Sequence, residues 1–396
     1  MDAASRVRLC QEYANEDNKK AEEKMIKQRI KNLYRHLVIS CLSNQSKLQE
    51  KKWSVADNIE FKEFHNWVDK SITYEISRVE LVPSNVKHKW VGAQVYHDKI
   101  YAIPNDETCV LYYDVEHNKI NYITGISKGM FKWTGGCVWK NAIYCFPRTA
   151  NSFLRIDEKG AKEIPLTIEY KKEHHYSGVC TKDGIVYQPP RNTSHILKTN
   201  LNTGASTKIT IVDEKYRVNF RYCGSIIHPN GCIYFFPENN ERVIKLDPKT
   251  DKWCFIGDRI STMCFDAKLG LDGNIYGFSA YCKGIMKIDV VNDTVQMIHD
   301  EIEPGAYGTK YGMDGFMYSV PGDGSAIYRY DVESDKVEVV FDLKDKSRAK
   351  FAGGSTSTLG EIIFIPATGD SLLKLQPDRM RDIPSILMEF FFMDFY

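Results

Sequence analysis

Six basic residues recur at spacings that could assemble an anion site. Lys89, Lys132 and His175 follow one another at intervals of 43 residues, and the same interval separates Arg148 from Arg191. Arg221 stands beside the next position of the first series. Guanidinium and ammonium groups that converge on one surface hold carboxylates or phosphates through charge-assisted hydrogen bonds. Bond-breaking chemistry has weaker signals. The chain carries no phosphate-binding glycine loop, no G-x-S-x-G turn and no H-E-x-x-H helix. His174-His175 is its one histidine cluster, and neighbours in an extended strand face opposite sides, which disfavours a shared metal ion. No catalytic residue, metal or cofactor is expected.

The spacing of these residues belongs to a repeat. The stretch GCIYFFPENNERVIKLD, residues 231–247, recurs in variant form seven times. Its central aromatic or aliphatic position falls at Tyr101, Tyr144, Tyr187, Tyr234, Tyr276, Tyr318 and Ile363, with gaps of 42 to 47 residues. Three residues before it stand Asp98, Asn141, Gly184, Gly231, Gly273, Gly315 and Gly360, types that tolerate positive φ in a tight hairpin. Three residues after it, proline occupies six of the seven positions; the exception is Ser279. Proline cannot donate to a sheet ladder, so it marks a strand end. Thirteen residues after it stand Asp114, Asp157, Asn200, Asp247, Asp289, Asp331 and Gln376, spacing that suits a side-chain cap on the next turn.

Each unit reads as four short antiparallel strands, in the second copy roughly WTGGCVW, AIYCF, SFLRI and AKEIPL. Seven such units predict an all-β fold, a seven-bladed β-propeller of four-stranded blades with an N-terminal α-helical extension. Small residues nine positions before each centre, from Gly92 to Gly354, suit inner strands that crowd an axis. Aromatic residues two positions earlier (Trp90, Trp133, Tyr176, Phe265, Tyr307) are expected to fill the wedges between blades. The constant offsets speak against an open solenoid or two unrelated β domains. Residues 1–70 are read as a helical arm, 71–384 as the propeller with its blades at about 85–376, and 385–396 as an apolar tail. The strand-like segment at 72–82 is expected to complete blade seven, because no blade buries its faces without neighbours.

In a propeller, the loops entering the inner strands and those joining second to third strands share one face around the channel mouth. Lys89, Lys132, His175 and Arg221 are at or beside the first set of loops, and Arg148 and Arg191 are in the second. Blades five to seven place mostly small or neutral residues at the same offsets. A one-sided basic mouth on a chain of net charge +1 suits an acidic peptide, a protein partner or a small anionic ligand. The near-neutral balance disfavours nucleic acid, and no apolar run reaches the roughly 20 residues of a membrane span. The stretch MDAASRVRLC has no apolar signal core, and the eleven cysteines include no Cys-x-x-Cys pair. A reducing, cytoplasmic location is the expectation.

The repeated G-x-I-Y-x-x-P … K-[IL]-D of units such as Gly231–Asp247 resembles the virginiamycin B lyase-like and kelch-related seven-bladed propellers, over about residues 85–376. That resemblance implies the fold. It also implies, as the alternative function, a metal-dependent lyase or lactone hydrolase acting at the channel mouth through histidine and acidic groups. Here Glu173 is the nearest acid in the equivalent ring, and no catalytic residue maps by motif. The preferred expectation is a noncatalytic binding platform that displays loops on a rigid ring.

Overall fold

The structure, a computed structural model, describes residues 74–168, 174–212, 220–238, 241–270, 272–312, 316–332, 334–357 and 360–377. The expected helical arm and the apolar tail lie outside the described residues.

The turn chemistry read from the repeat is what shapes each blade. Asp98, Gly184, Gly231, Gly273 and Gly360 all have positive φ, while in the second copy Lys140 takes that role one position early. Strands Lys99–Pro104, Ala142–Pro147, Ile233–Pro237, Met317–Pro321 and Ile362–Pro366 end on their prolines. The acidic position caps the outer turn: Asp157 accepts from Lys159 N at 2.8 Å, Asp247 from Lys249 N at 2.9 Å, and Asp289 from Val291 N at 2.9 Å.

Among the described residues seven sheets result, six of four strands and one of six. Blade two runs Trp133–Trp139, Ala142–Pro147, Ser152–Asp157 and Gly160–Pro165 in order. Its two middle strands pair Ile143 with Ile156 and Cys145 with Leu154, and these four side chains are fully buried. They face blade one, where Tyr101, Ile103 and Val110 complete the cluster around Trp133. Equivalent clusters fill the other wedges, ending with Trp90, Ile100 and Leu111 of blade one against Ile363, Ile365 and Leu372 of blade seven. Full burial of each such side chain contributes about 1.5–3 kcal/mol. The nine described cysteines are free thiols, so packing rather than disulfide cross-linking holds these blades together.

Blade seven takes its outer strand from far away in sequence. Tyr74–Glu80 lies antiparallel to Ser371–Pro377 in register from Tyr74↔Pro377 to Glu80↔Ser371. Near the axis the inner strands almost touch. A Cβ on Gly92 would lie 3.1 Å from the Gly135 Cα, and one on Gly135 would lie 2.1 Å from the Ser177 Oγ.

The six-stranded sheet is the irregular one. Two short strands, His174–His175 and Pro190–Thr193, add to the inner edge of blade four, pairing His175 with Pro190 and Arg191 with Arg221. Blades three and four are therefore joined by backbone pairing at the mouth as well as by packing.

Candidate site at the channel mouth

Backbone bonds between blades fix the mouth loops. Lys89 N donates to Ala367 O, Lys132 N to Asn105 O, Ala306 N to Ser279 O and Lys350 N to Gly322 O, at 2.8 to 3.3 Å. The loops entering the inner strands of blades one, two, six and seven are thus tied to the preceding blade. The position where Lys89 and Lys132 stand belongs to this girdle of bonds between blades.

That role turns the two lysine side chains inward. Lys89 is 1% exposed, and its ammonium binds the Asp370 carboxylate and, at 3.1 Å, Gly369 O. The hydrogen bond from Lys89 holds the Asp370 carboxyl below its usual pKa. Lys132 is buried over Trp133, and its Nζ donates to Glu107 O at 2.6 Å. Burial pulls its pKa down. Both cations bind the neighbouring blade, and neither presents its charge at the surface. His175 is likewise fully buried, its ring 5.1 Å from that of His195.

The structure brings the other candidates together. Arg148 leaves the second strand of blade two and Arg191 the second strand of blade three. Between them lies the ring of Tyr176, 5.0 Å from the Arg148 guanidinium carbon and 4.7 Å from that of Arg191. Phe131 covers Arg148 at 4.4 Å. Phe131, Arg148, Tyr176 and Arg191 thus alternate ring and cation. Contacts of this kind contribute about 0.5–2 kcal/mol each, more as water is excluded. They also hold the guanidinium planes in place and leave their N–H edges for hydrogen bonding. Arg221 is exposed on the adjoining strand, and its carbonyl accepts from Glu238 N at 2.7 Å.

The two arginines differ in partnership. Arg191 Nη2 donates to Glu238 Oε1 at 3.2 Å, the side chains being 19% and 4% exposed. Burial opposes the Arg191 charge, but Tyr176 and Glu238 outweigh it and its pKa rises. Arg148 has no carboxylate ion pair among the described residues; its Nη1 lies 3.5 Å from Asn105 Oδ1, and its Nε is buried without an acceptor. Burial, reinforced by the Arg191 cation, lowers its pKa from a value so high that the group stays charged at neutral pH.

The aromatic row continues beyond Tyr176. Tyr176 stacks toward Phe265 at 5.7 Å, and Phe265 toward Tyr307 at 5.0 Å. Tyr176 packs with Cys223, Met263 and Ala280, and Phe265 and Tyr307 lie against that cluster, whereas Trp90 and Trp133 fill wedges as expected. The indoles reach back into the sheet, Trp133 Nε1 donating to Ser152 O at 2.7 Å, while Tyr176, Phe265 and Tyr307 pack on one another. Tyr281 is 57% exposed nearby. Burial and the Glu238 charge raise its pKa, and Arg191 opposes them.

Two partners went unassigned in the sequence reading. Glu238 is an acid of this site, at the same repeat offset as Arg148 and Arg191, and that offset is the signal that could have found it. Tyr176 looked like a wedge residue. Glu173 lies outside the described residues. Among the described residues no group of three or more His, Cys, Asp or Glu side chains is placed to hold a metal ion.

No protein family profile matches the sequence, and no curated protein matches it. Solved structures do. A streptogramin B lyase is 14% identical with a TM-score of 0.63, covering 77% of this chain and 98% of its own. Virginiamycin B lyase from Staphylococcus aureus is 13% identical with the same TM-score, covering 76% and 99%. A catalytically inactive variant of that lyase with quinupristin is 14% identical, again at 0.63, covering 76% and 99%. At this level of identity the likeness is one of fold: the chain is a seven-bladed β-propeller similar in architecture to these lyases.

Proposed function

We propose that the mouth over blades two to four is a noncatalytic recognition platform for an acidic peptide of a protein partner. The observation that supports this most directly is Arg148. Its guanidinium is stacked between Phe131 and Tyr176 and has no carboxylate ion pair among the described residues. An arginine immobilised in this way has lost its side-chain entropy before binding, so an incoming carboxylate meets a preorganised donor edge. Arg191 and the exposed Arg221 extend the positive field across the joined edges of blades three and four. Lys89, Lys132 and His175 act in this reading through the girdle beneath, as supports of the loops.

The lyase activity named for the similar structures is theirs. No cluster of metal donors supports a metal-borne step among the described residues, and such a step is not part of this reading. A cytoplasmic location belongs to the proposal through the free thiols. No helix among the described residues is long and apolar enough to cross a membrane.

The test is binding of a fluorescent acidic peptide to the full chain and to Arg148→Gln. Loss of a charge-assisted hydrogen bond is expected to weaken binding by about tenfold or more. The affinity should also fall with salt. Equal affinity in both proteins would refute the assignment of Arg148.

A further inference from the structure

Two of the free thiols meet across a blade junction. Cys137 and Cys180 occupy the same repeat position, 43 residues apart. Their strands, Trp133–Trp139 and Val179–Cys180, are the inner strands of blades two and three. Register sets which way each side chain faces. Cys137 pairs with Tyr144, and Cys145 is the next residue along that partner strand. Neighbours in a strand face opposite sides. Cys145 therefore packs toward blade one, with Tyr101, Ile103 and Val110. Cys137 and Tyr144 face blade three, where Cys180, Val186 and Leu201 join their cluster. The two inner strands run close together here, since a Cβ on Gly135 would lie 2.1 Å from Ser177 Oγ. The Cys137 and Cys180 thiols hydrogen-bond to one another, and both residues are only partly buried, so a small oxidant has access to them.

Thiols in contact on separate strands are what oxidation can join, because side-chain rotation brings the sulfurs to bonding distance. We infer that Cys137 and Cys180 form a reversible redox pair, which a peroxide converts to a disulfide stapling blade two to blade three. The Cys180 sulfur, as thiolate, attacks one peroxide oxygen, the O–O bond breaks, and a sulfenic acid remains on that sulfur. The Cys137 sulfur then displaces hydroxide from it, and the Cys137 proton leaves with that hydroxide as water. One peroxide takes two electrons from two thiols and gives one disulfide and two waters. Cys137 takes the second step because burial, and then the bond to Cys180, push its pKa up and resist its ionisation. Cys145 takes no part, being fully buried on the opposite face. A dithiol reverses the change by exchange. The pair does not depend on acid recognition at the mouth, although the staple joins the two blades that carry Arg148 and Arg191.

The test treats the full, folded chain with hydrogen peroxide, blocks the remaining thiols, and digests it with trypsin without reductant for mass spectrometry. Trypsin releases Cys137 in residues 133–140 and Cys180 in residues 173–182, each peptide with a single cysteine. The two peptides should appear as one linked species, at the sum of their masses less two hydrogens, and dithiothreitol should return both. In urea the same treatment should lose the preference for this pair, because unfolding removes the contact. Thiols that stay free, or that pass to sulfinic or sulfonic acid with no link, would overturn the pair. So would a dominant link from Cys137 or Cys180 to any other cysteine, or an equal yield of the same link in urea. The unaltered chain decides the point, so the folding of a variant does not enter.

Discussion

A chain shortened to begin at residue 81 should lose much of its stability, because blade seven keeps only three of its four strands. The strand it lacks, Tyr74–Glu80, pairs along its whole length with Ser371–Pro377. Its backbone hydrogen bonds contribute about 0.5–1.5 kcal/mol each, and fixing each residue costs about 1–2 kcal/mol, so those two quantities roughly cancel. The side chains decide the balance. Tyr74 and Ile76 pack on the core between blades six and seven, and Val79 on the core between blades seven and one. Each is partly buried and contributes about 1 kcal/mol. Removing them also uncovers one side of Leu372, Leu373 and Leu375, which are now fully buried. Arg78 donates to Ser371 Oγ at 2.9 Å, and the Tyr74 and Tyr318 hydroxyls lie 3.2 Å apart. The expected loss is about 4–6 kcal/mol, a large part of the 5–15 kcal/mol typical of a folded protein. Urea unfolding of chains beginning at residues 71 and 81, followed by tryptophan fluorescence, measures it. The shorter chain should also associate as its concentration rises, since Ser371–Pro377 becomes an unpaired edge. A difference in unfolding free energy below about 1 kcal/mol would refute this account of closure.

Two further predictions concern the axis and a buried histidine. Gly135→Ala, at φ 61° and with the new Cβ 2.1 Å from Ser177 Oγ, should destabilise by about 2–4 kcal/mol. Adding Ser177→Gly should return part of that loss, and a double-mutant cycle with no recovery would show that the crowding lies elsewhere. His228 is buried, with Nε2 2.9 Å from Gly273 O and Nδ1 accepting from Asn230 N at 3.0 Å, an arrangement made by the neutral ring. Burial lowers its pKa from the model-peptide 6.5. The unfolded chain then binds a proton that the folded one resists, so stability falls as pH drops below about 6.5 and levels off below the folded pKa. His228→Asn should flatten that part of a plot of melting temperature against pH; an unchanged slope would assign it to other groups.

Most of the blade was legible in the sequence because its causes are local. Gly231, Pro237 and Asp247 each act on backbone within a few residues, by φ, by a missing donor and by a capping carboxylate. Repetition made those local signals strong. The mouth was harder to read. Lys89 and Lys132 have the residue type and offset of a cationic rim, yet both ammonium groups turn to the adjacent blade, because burying the loop there gives them Asp370 and Glu107 O as partners. Tyr176 has the offset of Trp133 but a different environment: the irregular pairing of blades three and four sets it among Arg148, Arg191 and Phe265.

By itself the sequence determined the period, the strand ends, the turn types and the count of seven, since each depends on neighbours along the chain. Tertiary structure decided which charges are buried, that Tyr74–Glu80 pairs with a strand almost 300 residues away, and that Arg148 is left, among the described residues, without the carboxylate that Arg191 has. Charge and burial depend on what meets a side chain across a blade interface. Those meetings are set by ring geometry, which no single repeat contains.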